Sequence, residues 1–337
     1  PLYYLFLKSW ATVFGYSPYS LRAFSLVLSC LVPLFSFLTA KTIFTDKWNT
    51  LLCFLLVLFS TQLFYYSLEV RAYMLPLVFL SIFFYSYVKL LRSPDHNLFY
   101  VLFSFAGACS FFSHYFTLFI ILPFFIHLLV FTFIDKLPVK KVAISVVLFS
   151  ILTAPWLPVL LQQWNLRNRV SFAMASARQN PETLNYGFSS RINSIPNYLI
   201  QISRYLQNSA FGSYSPIGDH SVFKWIIWTL KLLFLGFIIL ALIRGDRIAL
   251  LLAVVTAAYL IFVFITRKTL FVPRYFLFLS FFVPFFIGIA IHHMRSNILV
   301  RNFSLGIGFL IVVSSGISNI RVSNAVYCKQ YMTTVQF

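Results

Sequence analysis

The sequence predicts an all-α fold, a polytopic bundle of transmembrane helices with about ten spans. Three observations predict it. Of the 337 residues, 60% are hydrophobic and only 10% charged, and mean hydropathy is +0.87. A soluble domain carries about 25% charged residues, so there is too little polar surface here to cover a globule. Apolar runs of bilayer length recur along the chain, and the charges fall mostly between them.

In chain order, residues 1–22 form an outer-face amphipathic segment. Its apolar stretch 2–15 is too short to span and suits the membrane interface. Spans follow near 23–43, 49–67, 72–91, 98–113, 117–134 and 141–161, making an N-terminal transmembrane module over 23–161. The run 98–134 is too long for one helix, and Ser113-His114-Tyr115 is its expected turn. Residues 162–221 are rich in Asn, Gln, Ser and Arg, with apolar residues at scattered helical spacing. They read as an ordered outer loop, a helical cap. A C-terminal transmembrane module spans 222–318, with helices near 225–243, 248–266, 274–292 and 298–318, and 319–337 is an outer tail.

The charge balance is basic, 26 Lys and Arg against 7 Asp and Glu. No basic groove interleaved with aromatics is visible, so a nucleic-acid partner is not expected. The cations alternate from loop to loop. Lys41, Lys47, Lys89, Arg92, Lys136, Lys140, Lys141, Arg244, Arg247, Arg295 and Arg301 occupy one set of short loops. Only Arg71, Arg267, Lys268 and Arg274 occupy the other short loops. The first set is expected in the cytoplasm and the second outside. Residues 1–22 then lie outside with no visible leader, which leads to the expectation of a membrane segment upstream of Pro1. The alternative is that the first span inverts by itself.

Four cysteines, Cys30, Cys53, Cys109 and Cys328, show no metal-ligand spacing, and the first three fall in apolar spans. No Walker A, GxGxxG or GxSxG motif is present. Asp46, Asp95, Asp135 and Asp246 belong to the basic loops, and Glu182 and Asp219 to the outer loop. Glu69 is left alone at the outer mouth of two helices.

An ionisable residue held there is a functional candidate. In Tyr65-Tyr66-Ser67-Leu68-Glu69-Val70-Arg71-Ala72-Tyr73, Glu69 and Tyr73 would share a face if the stretch were helical. Arg71 can serve a phosphate or Glu69 itself. The plain alternative is an interface ion pair among belt tyrosines. A second outer cluster holds Pro273, Arg274 and Tyr275. Arg274 at a helix N-terminus opposes the dipole, and a bound anion would relieve the conflict; simple anchoring competes with this reading. His114, also outer, is either a packed turn residue or a ligand. Lys231 either snorkels or faces a polar groove.

These clusters, in this order, resemble the bacterial dolichyl-phosphate-mannose-protein mannosyltransferase-like family. It includes the aminoarabinose transferases and belongs to the GT-C glycosyltransferases. Pro1-Leu2-Tyr3-Tyr4 is similar to its PPLYY segment, and Tyr19-Ser20-Leu21-Arg22 to its ALR entry. Tyr66 to Tyr73 is similar to YSQEARMY with Leu68 in place of Gln, and Ser113-His114-Tyr115 to its THY turn. Pro155-Trp156 and Pro273-Arg274-Tyr275 are similar to its PW and PRY segments. The motifs are individually weak but cover most of the chain in order.

The resemblance implies transfer of a sugar from a polyprenyl-phosphate-linked donor to a protein, lipid or glycan acceptor. Transfer would take place at the outer face of a bacterial inner membrane, with inversion. It implies that the primary catalytic Asp precedes Pro1 and that Glu69 is the second acidic group. It also implies that Arg71, Tyr73, His114, Arg274 and Tyr275 bind substrate or its phosphate. It leaves room for a divalent cation without requiring one. The competing readings are a transporter or flippase of lipid-linked sugars and a structural subunit. Transporters pair broken spans near mid-membrane, and the sequence shows no such pairing.

Overall fold

The computed structural model describes residues 2–134, 137–159, 246–266, 273–294 and 298–334, with isolated positions 162, 239 and 243. For 260, 262–266, 273–276, 300, 314, 318 and 321–334 it describes the backbone alone. Every element among these residues is helical. They are α1 (Leu2–Phe14), α2 (Pro18–Ile43), α3 (Lys47–Leu58), α4 (Thr61–Ser67), α5 (Met74–Arg92), α6 (Asn97–Ser113), α7 (Leu118–Ile134), α8 (Val139–Thr153), α9 (Arg247–Thr266), α10 (Pro273–Ser280), α11 (Val283–His293) and α12 (Ile298–Thr334). Short 3₁₀ turns at Tyr115–Thr117 and Ala154–Trp156 adjoin α7 and α8.

Local chemistry sets the ends. Gly15 at φ +87° closes α1, a left-handed cap that a side chain would strain. Ser17 accepts a hydrogen bond from the Ser20 N–H, and Pro18 opens α2 where its missing N–H costs nothing. Asp46 caps α3 through the Trp48 N–H, and Asp246 caps α9 through the Ile248 and Ala249 N–H groups.

The chain is a membrane protein. Pro18–Ile43, Met74–Arg92, Tyr115–Ile134 and Val139–Val159 are each long and apolar enough to cross a bilayer. Lys47–Leu58 with Thr61–Ser67 makes a fifth span if the bent pair counts as one. The expected span near 98–113 is a shorter apolar helix and that near 274–292 is broken, while α9 and α12 cover the expected 248–266 and 298–318, with their apolar described stretches at 247–259 and 301–317. The span near 225–243 and the loop 162–221, with Glu182, Asp219 and Lys231, lie outside the described residues. The region 319–337, expected as a tail, continues α12 as helix to Thr334.

Two expected spans are interrupted. The 49–67 run bends by 43° between α3 and α4. The 274–292 run breaks between α10 and α11, where Pro284 has no N–H to give the Ser280 carbonyl.

Of the four long spans α5 is the most buried, 72% of its apolar window against 22% for the span at α8. It packs between α2 and α6, with α3 beyond α2 and α8 beyond α6. Phe83, Phe84, Phe103, Phe124, Phe282 and Phe285 interlock at the centre. Hydroxyls tie the layers. The Ser104 and Ser145 hydroxyls meet at 2.6 Å, Ser110 donates to the Pro76 carbonyl, and Tyr87 bonds the His127 ring. Close approach also needs small residues. A Cβ on Gly288 would lie 2.6 Å from Cys53 Sγ and 2.7 Å from the Phe44 ring.

The bundle has two chemically distinct ends. At one, Arg92 donates to the Ile43 carbonyl, Lys141 to the Asp95 carbonyl, and His293 pairs with Asp246 at 3.3 Å. The basic loops described there all meet at this end. Glu69 lies at the other.

Candidate functional site

The Glu69 end begins where α4 stops. Tight turns follow: the Leu68 and Glu69 N–H groups bond the carbonyls of Tyr65 and Tyr66. The Arg71 and Tyr73 N–H groups bond those of Glu69 and Arg71. Residues 68–73 are therefore not helical, and Glu69 and Tyr73 do not share a helix face as the i,i+4 reading expected. Pro76 contributes: it cannot donate to the Ala72 carbonyl, which favours a fresh helix start at Met74 over continuation through the turn.

This loop gathers the predicted residues by another route. Arg71 Nε lies 3.6 Å from Glu69 Oε2, with side chains 58% and 26% exposed. Glu69 Oε2 is shielded from solvent and accepts no hydrogen bond from the described residues. The carboxylate thus holds unused acceptor capacity, while the guanidinium is largely open. Tyr73 turns inward against Tyr66, with ring centroids 5.1 Å apart, and reaches His114 at 6.2 Å.

His114 ends α6 at the predicted turn. Its N–H bonds the Ser110 carbonyl, and its own carbonyl accepts from the N–H and hydroxyl of Thr117. The imidazole lies among the rings of Tyr73, Tyr115, Phe116 and Phe278. Phe278 belongs to α10, which also packs against α4. The helix of the second outer cluster therefore meets the first. Arg274 starts that helix one turn before Phe278; its side chain and that of Tyr275 lie outside the described residues, as do Arg267 and Lys268.

The site is a rim of charge, Glu69 and Arg71, beside a wall of rings formed by Tyr66, Tyr73, His114 and Phe278. The sequence reading missed Tyr66 and Phe278. Tyr66 was signalled by lying in the same motif, whereas Phe278 is one of 42 phenylalanines with nothing to single it out.

No family model, curated protein or solved structure matches the chain. The family resemblance rests on the motifs alone.

Among the described residues no three His, Cys, Asp or Glu side chains form a metal-binding group. Glu69 is the one carboxylate described at this end. A single carboxylate can still share a hydrated Mg²⁺ with a substrate phosphate. Cys30, Cys53 and Cys109 are free thiols, and Cys53 donates to the Pro284 carbonyl at 3.2 Å.

Proposed function

We propose that the chain is a membrane glycosyltransferase that moves a sugar from a polyprenyl-phosphate carrier to an acceptor hydroxyl or amine at its Glu69 face. The observation that supports this reading most is the gathering of Glu69, Arg71, Tyr73, His114 and α10 at one end of the bundle, opposite the basic loops. In this reading the fold is of GT-C type with about ten spans. The membrane is a bacterial inner membrane, and the Glu69 end faces the periplasm.

The chemistry asks for three things. The acceptor must lose a proton as its oxygen or nitrogen bonds the anomeric carbon. The bond from that carbon to the phosphate oxygen must break, leaving polyprenyl phosphate. Negative charge gathering on that phosphate needs fixed positive partners. Arg71, exposed and poorly paired, fits the phosphate, and Arg274 at the N-terminus of α10 fits it too. Glu69 fits as the second acidic group, orienting the acceptor or sharing a divalent cation with the phosphate. The rings of Tyr73 and His114 suit the apolar face of a sugar. Protein, glycan and lipid acceptors share the nucleophile this site needs.

One observation favours a second reading, a flippase of lipid-linked sugars. The two interrupted helices lie side by side, the pairing that transporters use and that the sequence did not reveal. One experiment separates the two. The full-length protein in proteoliposomes is given a labelled polyprenyl-phosphate sugar and acceptor glycans. Released polyprenyl phosphate, lost in Glu69→Gln, supports transfer. Movement of intact donor between leaflets without release supports transport and overturns the transferase.

A further inference from the structure

The interrupted helices share a depth. α4 has seven residues and α10 has eight. At 1.5 Å per residue the α3–α4 break lies about 10 Å below the Glu69 end, and the cavities both breaks line place the α10–α11 break beside it. The breaks also face each other. A cavity of about 20 Å³ is lined by Ser60 from one break and by Ser280 and Pro284 from the other. A second cavity of the same size shares those three residues and extends to Ile311 of α12. Each holds about one water.

The lining chemistry calls for a donor. Pro284 leaves the Ser280 carbonyl without its helical N–H. The Ser60 oxygen accepts from the Leu63 N–H, which leaves its own proton to give. Across the α3–α4 break, Asn319 of α12 donates to the Phe59 carbonyl at 3.1 Å. The Asn319 side-chain oxygen and the Thr61 hydroxyl, both on residues more than nine-tenths buried, have no hydrogen-bond partner among the described residues. Carbonyls freed at breaks inside a membrane are satisfied by side chains or ordered water, and such sites are where helices bend.

We propose that the two breaks form one hydrated hinge, on which α4 and α10 swing together over α3 and α11 to open and close the Glu69 face. α4 runs directly into the Glu69 turn, and α10 carries Phe278 against His114. α4 and α10 touch, which couples their motion, while α4 also packs on α2 and α12. The hinge opens the face that the preceding section assigns to substrate, but its test uses no substrate. A failed hinge and a failed transferase are therefore distinguishable.

The test is hydrogen–deuterium exchange, read by mass spectrometry, on the full chain in lipid nanodiscs. Amides of α4 and α10 exchange about tenfold or more faster than those of α3 and α11. Pro284→Ala restores a donor to the Ser280 carbonyl and slows exchange in both outer halves. Asn319→Ala cuts the bond to Phe59 and speeds both. Two independent kinks would give a different result: Pro284→Ala altering α10 alone and Asn319→Ala altering α4 alone. That result, or outer halves no faster than inner ones, overturns the shared hinge. Should Pro284→Ala fail to insert, Asn319→Ala decides by its effect on α10, an element its side chain does not bond.

Discussion

The two ends of the bundle use charge in opposite ways. At the basic end several described charged groups hold the fold, although one Asp46 oxygen, like Glu69 Oε2, is buried with no hydrogen-bond partner among the described residues. Asp46 and Asp246 cap helices, Lys141 and Arg92 hold carbonyls of neighbouring loops, and His293 meets Asp246. At the other end Glu69 has a shielded oxygen that accepts no hydrogen bond from the described residues, and Arg71 stands mostly in the open. Both ends lie at the same kind of boundary, so solvent exposure alone does not explain the contrast. If the Glu69 face serves a substrate, as proposed, its charge need not be consumed by the fold. Equivalent substitutions at the two ends should then give different kinds of loss.

The largest expected effect is on activity. Glu69→Gln keeps the shape and removes the charge, and sugar transfer falls roughly 100-fold or more with membrane insertion unchanged. Asp246→Ala at the opposite end leaves transfer near its original rate. Steady-state release of polyprenyl phosphate measures both. Equal losses from the two substitutions would erase the contrast between the ends.

Next comes packing between the ends. Gly288→Ala pushes a methyl into Cys53 and Phe44, and overpacking of this kind costs about 1–3 kcal/mol. Thermal denaturation in detergent should show the loss. Cys53→Ala in the same chain should return part of it, because the nearest clash is with Sγ; no recovery would mean that Phe44 alone sets the limit. Loss of a helix cap at the basic end is smaller. Asp46→Ala or Asp246→Ala removes acceptors from N–H groups at a helix start and costs about 1 kcal/mol, read in the same melts.

How far the sequence could be read follows from the range of the forces involved. Apolar runs and the charges between them are local, so the helices, the grouping of the basic loops and the isolation of Glu69 were all legible. The turn at His114 was legible because a polar triplet interrupts a long apolar run. The helix breaks were read less well. Ser60-Thr61-Gln62 puts three polar residues where the 49–67 run bends, but the bond from Asn319 to the Phe59 carbonyl, across 260 residues, does not show in the run itself. Pro284 marked the other break, but only packing shows that the two face each other. The shared face of Glu69 and Tyr73 failed because tight turns replace the helix over 68–73, with Pro76 just beyond them at the start of α5. Tyr73 joined the site nonetheless, through its ring rather than through helical spacing.

The smallest effect on stability is expected at Arg71, and it discriminates best. Its ion pair with Glu69 is 3.6 Å long and its side chain 58% exposed. Such a pair contributes about 0–1 kcal/mol, and less in salt. Arg71→Ala should therefore leave the melting temperature almost unchanged. If Arg71 instead binds the carrier phosphate, the same substitution raises KM for the lipid-linked donor. Arg71→Lys recovers the point charge but not the two-pronged geometry, so it restores KM only in part. A guanidinium serving only as a membrane anchor predicts neither change, because lysine anchors as well as arginine. An unchanged KM in Arg71→Ala, with Glu69→Gln inactive, would leave the carboxylate in the site and move the phosphate contact to Arg274.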